Sequence, residues 1–231
     1  VSFGLARGRQ LDPTGVFVTP GELPPLPDDV ITNPDAGRVD PRAWFPNPGQ
    51  RFEIEIGSGK GTFLVQQAAL EPGTNYLGIE WAREFAAYAA DRIRRHGLSN
   101  VRLLNADAVE FVRWRAPDGI VDVVHLYFPD PWPKTRHHRR RTVQGPFLRE
   151  CWRVLRPGGE LRVVTDHDGY WEWMQREFAG VSGGEAPLFE VLPFERPGSA
   201  REGELVGTNF ERKYRREGRP FHAAVLRKVG G

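Results

Sequence analysis

The chain has 231 residues, 39% of them hydrophobic and 27% charged, and a formal net charge of +2. This fits a soluble globular protein with one substantial domain, and the small charge leaves any argument for a polyanionic partner to local clustering. The single cysteine, Cys151, excludes an intramolecular disulfide and a thiolate zinc site, and no apolar run approaches the roughly 20 residues of a membrane span. No cationic stretch followed by an apolar one opens the chain, so a reducing, cytoplasmic setting is expected.

Residues 1–48 hold nine of the twenty prolines and few periodic apolar positions, which reads as an extended arm or partly ordered linker. Trp44 and Phe45 would anchor it on a body formed by residues 49–231. From Arg51 the pattern alternates. Strands are predicted at 52–56, 75–79, 101–104, 121–128 and 160–165, and helices at 62–70, 83–96, 142–155 and 167–178. Two further runs, 189–194 and 221–226, suggest a closing antiparallel pair. Alternating β and α elements predict a mostly parallel sheet with helices on both faces.

The first strand–helix junction is EIGSGKG, Glu55 to Gly61. Gly57, Gly59 and Gly61 allow a tight turn and close approach of backbone to a ligand. The spacing matches neither a Walker A loop nor the Gly-x-Gly-x-x-Gly dinucleotide fingerprint. A carboxylate inside the motif, Glu55, suits S-adenosylmethionine, which is cationic and has no pyrophosphate, better than NAD. Glu80 closes the second strand, where a carboxylate can accept both hydroxyl protons of a ribose. Asp107 follows the third strand in NADA and could meet an adenine amino group, or simply cap a helix.

The fourth strand runs into DPWPKTRHHRRR, Asp130 to Arg141. Asp130 and Trp132 could hold a planar base, although Trp132 could equally pack the turn. Lys134, Arg136, Arg139, Arg140 and Arg141 bring five cations into eight residues, which suits a polyanion. His137 and His138 lie among them, but adjacent histidines without a nearby carboxylate ligand do not make a metal site, and none is expected. Asp166 ends the fifth strand and could also cap a helix starting at His167.

With GIE at 78–80, TDH at 165–167 and TNFERKY at 208–214, these motifs resemble the bacterial tRNA (guanine-N7-)-methyltransferase family over about residues 51–226. The resemblance implies a Rossmann-like methyltransferase that moves a methyl group from S-adenosylmethionine to N7 of guanosine 46 in the tRNA variable loop, leaving S-adenosylhomocysteine. It makes Glu55, Glu80, Asp107 and the glycines cofactor contacts, and Asp130 the catalytic residue, which touches the cofactor too. Lys134, Asp166, Thr208, Asn209, Phe210 and Glu211 become substrate contacts. Arg136, His137, His138, Arg139, Arg140 and Arg141 become the RNA-binding segment. Asn209 stands where the family often has Lys. Either a monomer or a homodimer is compatible with this. A small-molecule methyltransferase would not need the arginine run, and a silent RNA-binding scaffold would not need the four carboxylates.

Overall fold

The computed structural model describes Leu5 and residues 8–230, so the first residues of the Pro-rich segment and Gly231 lie outside the described residues. The chain forms two compact units, residues 1–117 and 118–231. Among the described residues no helix is long and apolar enough to cross a membrane.

The first unit contains β1 (Phe17–Val18), β2 (Arg51–Ile56), α1 (Thr62–Leu70), β3 (Thr74–Ile79), α2 (Arg83–Arg95), β4 (Val101–Leu104) and α3 (Ala108–Trp114). Its strands pair in parallel in the order β1-β4-β3-β2. Every residue of β3, and all of β2 after Arg51, is buried. Burial of both faces is expected of parallel strands. In β2 it takes in two glutamates: Glu53, paired with Arg51 at 2.7 Å, and Glu55 near the strand's end. Ala86, Ala89, Ala90 and Ile93 form the buried stripe of α2, and its basic last turn (Arg92, Arg94, Arg95) complements the helix dipole. Helix α3 was not foreseen. Its signal is Asp107, whose carboxylate caps it, ahead of buried Phe111 and Val112.

The Pro-rich segment is laid along this unit. Val16 and Val18 accept hydrogen bonds from the amides of Leu103 and Asn105, so β1 becomes an edge strand on β4. Phe45 is buried, edge-on to Phe52 at 5.9 Å, whereas Trp44 is only half-buried. Further upstream the fixing point is Asp91, a fully buried carboxylate on α2. It accepts from both terminal nitrogens of Arg9 (3.0 and 2.7 Å), from the Asp12 amide (3.1 Å) and from Arg95 (3.0 Å).

The second unit contains β5 (Val121–Tyr127), α4 (Gly145–Val154), β6 (Leu155–Thr165), α5 (Asp168–Ser182), β7 (Phe189–Leu192), α6 (Asn209–Arg216) and β8 (His222–Lys228). The order is β5-β6-β8-β7, with β5 and β6 parallel and β8 antiparallel to both β6 and β7. The expected antiparallel pair is therefore present, and it joins the parallel strands through β6. Strand β6 starts earlier than predicted, through Pro157-Gly158-Gly159, because Leu155 already pairs with Val121 across an irregular register. Gly159 is required there: a Cβ would lie about 3 Å from the carbonyl oxygens of Arg156, Asp122 and Val121. His125, buried in β5, shares a 2.7 Å hydrogen bond with the Tyr127 hydroxyl. Helix α6 was also missed. Its signal is the Thr208-x-x-Glu211 pattern, with the Thr208 hydroxyl accepting from the Glu211 amide at 3.1 Å.

The hydrogen bonds to Asp91 favour its ionised form and hold its carboxyl well below the usual carboxylate range, the Arg9 bonds contributing most. A depressed native pKa adds stability that is complete above the unfolded value near 4 and lost as pH falls below it. Asp91→Asn is therefore expected to destabilise the protein by roughly 2 kcal/mol at neutral pH, less than for a fully buried pair because Arg9 and Arg95 regain water. Its acid unfolding should also be less steep below pH 4. Chemical denaturation across pH 2–7 reads both effects.

Candidate functional site

In the first unit three carboxylates stand at successive strand ends. Glu55, the second-to-last residue of β2, is 4% exposed, and its Oε2 is buried without a hydrogen-bond partner. Burial, with a smaller contribution from the charge of Glu80, pushes its carboxyl up to about 8. A buried carboxyl oxygen with no donor is costly unless something outside the fold supplies one. The loop that follows takes left-handed φ at Gly57 (77°) and Gly59 (51°), which explains the glycines.

Glu80 ties this loop down. Its Oε2 accepts from the Gly59 amide (2.8 Å) and its Oε1 from the Ala82 amide (2.9 Å). Asn105 donates to the carbonyls of Glu80 and Trp81 (2.9 and 2.8 Å), fixing the backbone under an indole that is 74% exposed. Sequence reasoning passed over Trp81, whose sole signal is its place after GIE. Asp107 caps α3 through Oδ1, which accepts from Val109 (2.8 Å) and Glu110 (3.2 Å) and leaves Oδ2 for another donor. The two readings of that residue are thus compatible.

In the second unit β5 ends at Tyr127, one residue earlier than predicted, because Phe128 turns to φ 55°. Trp132 also has positive φ, 42°. Asp130 sits exposed between these two bulky left-handed residues. Phe128 is held edge-on by Tyr214 and Phe221, both at 5.8 Å. Trp132 lies edge-on to His137 at 5.8 Å, with the Arg140 guanidinium 5.0 Å from its ring. Residues 135–140 form a 3-10 turn on which Arg136, Arg139 and Arg140 are exposed, as is Lys134 just before it.

A family model described as "Putative methyltransferase" matches residues 50–224. A tRNA (guanine-N(7)-)-methyltransferase of Corynebacterium diphtheriae is 38% identical over 79% of this chain and 75% of its own length. One from Nitrobacter hamburgensis is 37% identical over 97% of this chain and 84% of its own. The chain belongs to the tRNA (guanine-N7)-methyltransferase family. The crystal structure of a SAM dependent methyltransferase from Aquifex aeolicus covers 78% of the chain, and 82% of that protein, at 17% identity with a TM-score of 0.50, a likeness of fold. The fold is accordingly Rossmann-like, a mostly parallel sheet with antiparallel C-terminal strands and helices around it.

Three sequence expectations for this methyltransferase-family chain need correction. Glu211, expected to meet substrate, is fully buried and its carboxylate is saturated. It accepts from the amides of Leu205, Val206 and Gly207 and from two nitrogens of Arg215. It builds the loop before α6, with Thr208 as that helix's N-cap, and of residues 208–211 Asn209 and Phe210 are exposed. Asp166 does not cap α5; His167 does, its Nδ1 accepting from the Tyr170 amide. Asp166 instead pairs with Arg219 at 2.6 Å. Arg141, grouped with the RNA-binding arginines, is 4% exposed and so is not open to a phosphate.

The raised carboxyl of Glu55 sets a stability slope. Between the unfolded value near 4.5 and about 8 the native chain holds a proton that the unfolded chain has lost, so stability falls as pH rises through that window. Thermal unfolding from pH 5 to 9 should show this decline in the ligand-free protein and a flatter profile for Glu55→Gln. Equal slopes would place Glu55 in contact with water.

Proposed function

We propose that this chain is a tRNA guanine-N7 methyltransferase, taking its methyl group from S-adenosylmethionine and acting on guanosine 46 of the variable loop, in the cytoplasm. The observation that carries the reading is the similarity, over most of the chain, to relatives bearing that activity in their names. In this reading residues 49–231 form the methyltransferase domain and 1–48 an accessory arm.

The first unit fits the methyl donor. Bound there, S-adenosylmethionine supplies an electrophilic methyl on a sulfonium and becomes S-adenosylhomocysteine. The unpartnered Oε2 of Glu55 asks for a cationic donor, which the amino group of this molecule offers. Glu80, whose oxygens each keep a lone pair beyond their amide bonds, suits a ribose diol, and Oδ2 of Asp107 suits an adenine amino group. Gly57, Gly59 and Gly61 let the loop backbone lie close.

Guanine N7 has an in-plane lone pair and no proton to lose, so the reaction needs positioning more than a strong base. Asp130 would accept from N1–H and the exocyclic amine, orienting the base and offsetting the positive charge that grows on the purine. The rigid turn serves that purpose. Lys134 would reach O6 or a nearby phosphate. Asp166 keeps its Oδ1 for a base donor while Oδ2 holds Arg219, and Asn209 and Phe210 offer an exposed polar and aromatic edge. Arg136, Arg139 and Arg140 would take backbone phosphates. His137 and His138, packed on Trp132 and Trp173, would shape the turn from which they project.

Incubating the protein with unmodified tRNA and methyl-labelled donor, then cleaving at the methylated purine, should place the label at N7 of guanosine 46; label on another base or atom overturns the assignment. Asp130→Asn is expected to lower kcat about 100-fold with donor binding intact, and an unchanged kcat removes it from the mechanism. Because burial pushes the Glu55 carboxyl up to about 8, meeting a cation at pH 7 should expel its proton. Calorimetry of donor binding in buffers of different ionisation heat should show proton release that Glu55→Gln abolishes.

A further inference from the structure

The Pro129–Pro131 stretch that carries Asp130 is bounded on each side by a bulky residue at positive φ, Phe128 at 55° and Trp132 at 42°. Such conformations persist only where the surroundings over-determine them. Phe128 has two aromatic neighbours, and its amide bonds to Val164 O at 2.8 Å. On the far side, one polar group reaches the backbone immediately after Asp130: Nε of Arg141 donates to the Pro131 carbonyl at 2.9 Å.

The setting of that guanidinium is unusual. It is buried, and among the described residues no carboxylate pairs with it. Its charge lies over two aromatic rings, 4.9 Å from the Tyr170 ring centroid and 5.1 Å from that of Trp173, both on α5. A buried cation costs desolvation, and here two π faces and one carbonyl offset it. A phosphate ligand would face water, as Arg139 and Arg140 do. Val143, two residues on, is locked as well, its amide donating to the Tyr170 hydroxyl at 3.1 Å and its carbonyl accepting from the Trp173 indole at 2.8 Å. The segment 141–143 is thus clamped to α5, and through Arg141 so is the turn.

We propose that Arg141 is a positioning residue for methyl transfer: it braces the Phe128–Trp132 turn against Tyr170 and Trp173 and thereby aims Asp130, and it does not bind RNA. This rests on the reading of Asp130 given above. Without the brace the strained turn relaxes and the carboxylate moves, and a displacement of about 1 Å in such a group can cost on the order of 100-fold in rate.

Lysine separates the alternatives. As a point charge it replaces arginine at a phosphate, but it lacks the planar fork that lies over both rings while donating to a carbonyl. Arg141→Lys and Arg141→Met are expected to lower kcat at saturating tRNA and methyl donor at least tenfold. Their tRNA Kd should stay within about twofold of the parent, with an unaltered salt dependence. Trp173→Leu, which removes one face, should reproduce the kcat loss and decides the matter if Arg141→Met fails to fold. Arg139→Met, the comparison, should weaken tRNA binding and lower the slope of log K against log salt by about 1. Parental kcat in Arg141→Lys, or a defect that appears as weakened tRNA binding with a shallower salt slope, overturns the proposal. Asp130→Asn is assayed alongside. If it turns over normally, the reading of Asp130 falls and this inference with it; if it is inactive while both Arg141 variants are fully active, only this inference falls.

Discussion

Parallel strands covered on both faces leave few places for a charged side chain except at their ends, and the rest of this molecule follows from that constraint. Within β2 and β5 the interior charged side chains are paired, Glu53 with Arg51 and Asp122 with Arg156, and the carboxylates left for a ligand collect where each strand hands over to a loop. Glu55 and Glu80 stand at two successive ends in the first unit, with Asp107 just beyond a third; Asp130 and Asp166 follow β5 and β6 in the second. The loops there are short and tied: Gly59 to Glu80, Asn105 to the backbone of residues 80 and 81, Arg141 to Pro131. Pre-organisation of this kind is what a displacement on a methyl group demands, since little proton chemistry is involved.

Counting donors separates the carboxylates better than their motifs do. Asp91 and Glu211 are both fully buried, and both are filled by arginines and backbone amides, which marks them as builders of the fold. Glu55 is nearly as buried and has an oxygen with no donor at all. The same fold that satisfies Asp91 and Glu211 leaves Glu55 short, in the position where a cationic ligand would complete it.

The alternation of strands and helices was legible because it rests on local periodicity, and the glycine turn because left-handed φ selects glycine. What escaped depends on tertiary context. Helices α3 and α6 are short, seven and eight residues, and announce themselves mainly through their caps, Asp107 and Thr208. Asp107 offers a cap and a ligand contact at once, whereas the Thr208 cap lies inside a motif with a ligand-binding explanation of its own. Arg141 reads as one more member of a basic run; only the aromatic residues of α5, some thirty positions later, turn it inward. Glu211 likewise gives no sign in sequence that three preceding amides converge on it.

The proline-rich segment has a consequence beyond its anchoring. By adding β1 to β4 it occupies the amides of Leu103 and Asn105, the groups a foreign strand would otherwise recruit. An unguarded parallel edge is a template for aggregation, and a two-residue strand that breaks into Pro20 and then Pro24 and Pro25 cannot extend into one. The segment that looks least like part of a catalyst thus works as a selvedge, keeping the woven edge of the first unit from unravelling into its neighbours at the concentrations of a living cell.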